Sequence, residues 1–121
     1  MKLSAIQAAE IVKNSISTRD ETIANAKEQF DKISLDAQKM FDVGAISKSH
    51  YDEIIKAAEL SKNETIANAE QQHKDILAEA QRQSGDLINE VDWETGELKT
   101  AWDKCTDWIK TKWSDLANKE Y

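Results

Sequence analysis

The phrase Glu21-Thr22-Ile23-Ala24-Asn25-Ala26 recurs without change as Glu64-Thr65-Ile66-Ala67-Asn68-Ala69. Gln29 also matches Gln72 and Ile33 matches Ile76, so eight of the thirteen pairs from Glu21/Glu64 to Ile33/Ile76 are identical. Chance is a poor explanation for that. Midway between the copies, Asp42-Val43-Gly44-Ala45-Ile46-Ser47 breaks the helical pattern. A reversal with its tip near Gly44 and Ala45 sets Ile23 opposite Ile66, and the two copies then meet. This is the geometry of a structural element and it has no resemblance to a reactive site.

On the N-terminal side of the reversal, Ser4 followed by Gln7 fits a capping box, in which each side chain satisfies a free amide at a helix start. From there Ala9, Val12, Ile16, Arg19, Ile23, Ala26, Phe30, Ile33, Ala37 and Met40 alternate steps of three and four, and only Arg19 is polar. That is a coiled-coil seam. At about 1.5 Å per residue a helix over 4–41 is roughly 57 Å long, a length that buries its stripe only against another long helix. Beyond the reversal, Gly44 ends the first helix, Ser47 caps the second, and Ile46 and Tyr51 are placed as a hydrophobic staple. The second helix, over 48–84, carries Ile55, Ala58, Ile66, Ala69, His73, Ile76 and Ala80, interrupted by Glu59 and Lys62. Small Ala24, Ala26, Ala67 and Ala69 allow the backbones to approach closely.

The pattern loosens at Ser84 and Gly85, and Asp92-Trp93-Glu94-Thr95-Gly96 reads as a turn. A fresh stripe follows: Leu98, Trp102, Cys105, Ile109, Trp113 and Leu116, with Trp108 on its flank. The expected fold is therefore all-α. It is a long antiparallel helical hairpin over 4–41 and 48–84 with a third C-terminal helix over 97–119, packed as in a coiled coil. Residues 1–84 form the hairpin, 85–96 a linker or turn, and 97–121 a tryptophan-rich helix that closes a short bundle. The expected seam residues are Ile16, Ile23, Ala26, Phe30, Ile33, Ile66, Ala69 and Ile76.

Composition agrees with this. The 121 residues contain no proline and three glycines, and 40% are hydrophobic against 32% charged, a balance suited to long helices. A single cysteine, Cys105, leaves no internal disulfide, and its expected role is buried and apolar. No apolar run reaches the roughly 20 residues that span a bilayer, and the start at Met1 lacks a signal-peptide stretch. A soluble product made in a cytoplasm is expected. The net charge of −7 falls mostly at the C-terminal end, where Asp86, Glu90, Asp92, Glu94 and Glu97 run without a base. Such a stretch repels phosphate backbones, so no direct nucleic-acid binding is expected.

No catalytic, cofactor or metal site is legible. His73 falls where Phe30 stands in the other copy, which makes it a seam residue, and His50 has no partner at metal spacing. Asp92, Glu94 and Gly96 are too few and wrongly spaced for a calcium loop. Carboxylate pairs are plentiful, but a catalytic pair needs a concave, partly dry pocket, which long helices rarely supply. Asp86, Glu90, Asp92, Trp93, Glu94 and Trp108 are the candidate partner-binding residues, since exposed tryptophan is a common interface anchor. Weak charge imbalance over 97–119 argues against a membrane-surface helix.

Taken together, the paired phrases at 21–26 and 64–69, the turn GAISKSHYDEII at 44–55 and the run AQRQSGDLINEVDWETGELKTAWDKCTDWIKTKW at 80–113 resemble a segment of the tail tape-measure proteins of long-tailed phages and prophages of Gram-positive bacteria. The VDWETGEL turn followed by a tryptophan-bearing helix is the most specific part. The resemblance implies a helical rod in the virion tail, assembled in the bacterial cytoplasm, which sets tail length without catalysis. Its partners would be other copies or other tail proteins. Members of that family are far longer than this chain, which leaves two explanations. Either the chain is a piece of such a rod, or it is a small acidic phage-encoded inhibitor that binds a host or defence protein, for example a nucleic-acid-acting enzyme.

Overall fold

A computed structural model of the chain describes residues 3–99. Two long helices, α1 (Ala5–Asp42) and α2 (Lys48–Ser84), pack against each other as an all-α hairpin, and among the described residues no strand is formed. The start of α1 is fixed by the capping box: Ser4 N donates to Gln7 Oε1 at 3.0 Å, and Gln7 N donates to Ser4 Oγ at 3.1 Å. Two orphan donors are satisfied at once.

The end of α1 is equally explicit. Gly44 N donates to the Phe41 carbonyl at 3.0 Å and Ala45 N to the Met40 carbonyl at 2.8 Å, the paired bonds of a Schellman motif. That motif needs a left-handed residue, and Gly44 supplies it with φ 77°. Three residues on, Ser47 Oγ accepts from His50 N at 3.1 Å and opens α2. The tip is closed by side chains as well. The Phe41 and Tyr51 rings lie 5.5 Å apart, Lys48 Nζ sits 5.0 Å from the Tyr51 ring, and Tyr51 Oη donates to Gln38 Oε1 at 3.1 Å. Phe41 is half-buried while Met40 is 45% exposed, so the seam steps from Ala37 to Phe41 and not to Met40. The aromatic contact with Tyr51 decides that step.

The described residues divide into two compact units, one built from 3–13 and 77–99 and the other Asn14–Ile76. In Asn14–Ile76 the buried positions are small or polar: Ser15, Ala26, Ala37, Ala58, Ala69 and His73. Ser15 meets His73 and Phe30 meets Lys62, so the two copies run antiparallel and lie alongside each other.

The other unit holds the largest fully buried side chains of the described residues, Val12, Ser84 and Val91. Here the structure corrects the sequence reading in two places. The stretch 85–96 holds the expected turn at 93–95, but ahead of it Gly85–Glu90 is a 3-10 helix and Val91 is 1% exposed, so this part is packed structure. Residues 97–99 are extended and not the start of a helix. Val91 pairs with Leu98 in an antiparallel bridge, flanked by bonds from Asp92 N to the Glu97 carbonyl (2.8 Å) and from Lys99 N to the Glu90 carbonyl (2.9 Å). The bond to the Glu90 carbonyl satisfies the Lys99 amide, which a helix start at 97 would leave free. The rest of the expected third helix, with its stripe from Trp102 to Leu116, lies outside the described residues.

The turn between 92 and 97 rests on α1 through Gly96. A Cβ added there would lie 2.6 Å from Lys13 Cγ, 2.9 Å from Lys13 N and 3.0 Å from the Ala9 carbonyl oxygen, and φ is +77°. Gly44 shares that φ but has open space around it. Gly44→Ala is expected to cost about 1–2 kcal/mol, the left-handed backbone penalty alone. Gly96→Ala adds backbone clashes and is expected to cost about 3 kcal/mol or more. Urea unfolding of the two variants checks the order, and equal losses would contradict it.

Candidate functional site

Two sets of residues came forward from the sequence, the seam and the acidic turn, and the structure treats them differently. In the seam, Ala26 and Ala69 are each 7% exposed, and Ile16, Ile23, Phe30, Ile33 and Ile66 are half-buried. Ile76 is corrected: it is 39% exposed, and Leu77 is half-buried in its place. The inward positions of α2 run Ala69, His73, Leu77, Ala80, and two successive steps of four carry the stripe past Ile76. A straight helix of 3.6 residues per turn requires such steps.

Within Asn14–Ile76 the seam contains a polar layer that the stripe alone did not reveal. Ser15 Oγ and His73 Nδ1 are 2.7 Å apart, and the two residues are 6% and 9% exposed. Ser15 precedes Ile16 and stands three residues after Val12, so only the width of the buried stripe could have shown it. An open groove of about 330 Å³ borders this layer, lined by Arg19, Asp20, Ile23, Glu70, His73 and Lys74. Arg19 is half-buried and its guanidinium pairs with Asp20 at 3.0 Å. Burial lowers the His73 pKa below its ordinary 6.5, Arg19 lowers it further, and Asp20 opposes them. A second cation lies in the seam at Lys62, whose Nζ is 4.3 Å from the centroid of the Phe30 ring. The Lys62 stem covers the ring while its charge meets the ring face.

What can this layer do? A nucleophilic serine must present its oxygen to a substrate, whereas Ser15 Oγ is enclosed and spoken for by His73. The chemistry available is recognition between helices: a buried hydroxyl and imidazole that satisfy each other only when α1 and α2 are in one register. Among the described residues no cluster of three or more histidine, cysteine or acidic side chains is placed to hold a metal ion, and no helix is long and apolar enough to cross a membrane.

The acidic turn is partly consumed by its own structure. Asp92 Oδ1 accepts from Glu94 N at 2.9 Å, Thr95 Oγ1 accepts from Glu97 N at 3.2 Å, and Trp93 Nε1 donates to the Ile88 carbonyl at 2.8 Å. Asp92, Trp93 and Glu90 are half-buried, while Asp86 and Glu94 are exposed. Trp108 lies outside the described residues. Thr95 thus shapes the turn. Nearby, the Arg82 hydrogen bonds hold the exposed Glu79 carboxyl down at about 2, helped by Gln83. Its contribution to stability is present above the ordinary carboxyl value of 4.5 and disappears as pH falls toward 2.

The close approach at the alanines gives a direct prediction. Ala69→Leu inserts three carbons into a position that is 7% exposed and is expected to destabilise the hairpin by about 1–3 kcal/mol. Ala67→Leu, at an exposed position of the same phrase, is expected to stay within about 0.5 kcal/mol of wild type. Thermal unfolding of both variants measures the contrast. No family model matches the chain, and no curated protein or solved structure shows significant similarity to it.

Proposed function

We propose that the chain is a structural helical segment of a phage tail tape-measure protein, contributing to tail length and assembly by helix packing. The observation that carries this reading is the antiparallel pairing, which brings two copies of one phrase alongside each other across an alanine seam. Residues so arranged are committed to helix pairing along their length. Two of the stretches that carry the family resemblance, 44–55 and the VDWETGEL segment, each contain a turn closed by backbone bonds, which fits segments that fold a long helical chain back on itself. On this reading partners are other copies or other tail proteins, met through helix faces.

A second reading, an acidic inhibitor of a host or defence protein, draws on the exposure of Asp86 and Glu94 close in sequence to Leu87, Ile88 and Leu98, which are 37%, 37% and 47% exposed. The two readings separate in one genetic experiment. Removing one heptad around Ile23 and the facing heptad around Ile66 in the encoding phage genome is expected to give particles with shorter tails by electron microscopy. Particles that contain the shortened protein and keep their full tail length would sink the tape-measure reading. For the inhibitor, Asp86→Lys with Glu94→Lys is expected to release a partner that the tagged wild-type chain retains at equal stoichiometry, and retention by the variant contradicts it.

A further inference from the structure

We propose that Ser15 and His73 form a pH-operated latch in the half of the hairpin away from its tip, closed while the imidazole is neutral and opened by its protonation. This is independent of the function proposed above. The latch rests first on geometry. The imidazole is 9% exposed, its Nδ1 is 2.7 Å from Ser15 Oγ, and the other faces it meets are those of the bordering groove. Either neutral tautomer satisfies the contact, with the hydroxyl donating to Nδ1 or Nδ1–H donating to the hydroxyl. A proton added to the ring places a full charge at a site where burial already opposes it.

The charged groups around the ring do not relieve that charge evenly. From α1 it faces Arg19 and Asp20, and from its own helix Glu70 and Lys74. Asp20 is engaged by the Arg19 guanidinium at 3.0 Å, so the nearest pair offers a cation and an acid already bonded to it. Repulsion from Arg19 exceeds attraction to Asp20 in its effect on the ring. The surroundings also make opening inexpensive. Between Asn14 and Ile76 the buried apolar side chains are all alanines, and each loses little apolar area when the helices part.

The direction of the pH effect follows. A group titrating lower in the folded chain than in the unfolded one contributes stability that is complete above pH 6.5 and lost as pH falls below it. Glu79, whose carboxyl is held down at about 2, acts below 4.5, outside the window between pH 7 and 5 in which the His73 response is sought. The experiment is amide exchange by NMR on the full chain at pH 7 and pH 5, corrected for intrinsic rates, together with thermal unfolding. In wild type, protection over 15–19 and 69–74 is expected to fall by up to about tenfold per pH unit, and the thermal midpoint to drop. His73→Asn keeps a hydrogen-bonding group where Nδ1 stands but cannot titrate, and is expected to hold both quantities level. His73→Phe, the residue of the other copy, serves equally if the asparagine variant is unfolded. Wild type and variant falling in parallel, or acid loss of protection spread evenly over both helices, would overturn the proposal.

Discussion

Everything in the hairpin depends on how closely two backbones can approach along a seam of alanines. Ala26, Ala37, Ala58 and Ala69 are buried because their side chains are short enough to let the helices meet. The same shortness limits what burial contributes, since a fully buried isoleucine or leucine is worth about 1.5–3 kcal/mol and alanine much less. The isoleucines that could contribute more stand half-buried at the edges of the seam. Pairing therefore accumulates from many small increments along the helices, and neither helix end can be left unsatisfied. This is why the caps are so complete: a capping box at Ser4, a Schellman motif at Gly44 and a serine cap at Ser47.

A seam of small, similar residues has a weakness, because sliding one helix past the other costs little. The duplicated phrase aggravates it by offering the same side chains twice. Specific pairs answer this. Ser15 with His73, Phe30 with Lys62, and Tyr51 with Gln38 each join unlike partners across the hairpin. A slip strands the buried hydroxyl and imidazole, at about 1–3 kcal/mol for each group left unsatisfied, as much as burying an isoleucine contributes. Polar residues in the seam thus fix the register that the alanines leave loose, much as a single buried polar residue does in a coiled coil.

How far the sequence disclosed this depends on the kind of residue. Helix limits were legible within a residue at each end, because caps act over three or four positions: Ser4 with Gln7, Gly44, and Ser47 are local signals. The antiparallel pairing was legible from the duplicated phrase and its midpoint. Which flank of a helix faces inward was legible only to within one position. Ile76 gave way to Leu77 and Met40 to Phe41, since a pattern of threes and fours drifts about 20° per heptad against a straight helix. The Ser15–His73 bond was not legible, because it joins residues far apart in sequence and neither is apolar. Nor was the packed state of 85–96: Val91 is buried and pairs with Leu98, and Gly96 lies against Ala9 and Lys13; a turn-rich composition carries no trace of such contacts.

The acidic stretch shows why charge counted along a sequence overstates charge offered to a partner. Five carboxylates and no base between Asp86 and Glu97 suggest a uniform negative patch, yet the backbone has already used part of it. Asp92 binds an amide of its own turn, Trp93 gives its indole N–H to Ile88, and Gly96 presses the turn onto Ala9 and Lys13. A carboxylate that holds a turn in shape cannot be withdrawn for a visitor without releasing what it holds. Among the described residues the exposed remainder, Asp86, Glu94 and Glu97, has no such duty. Any partner drawn by charge meets those three first, on a segment that is anchored before the partner arrives, so binding there would carry little cost of ordering the chain.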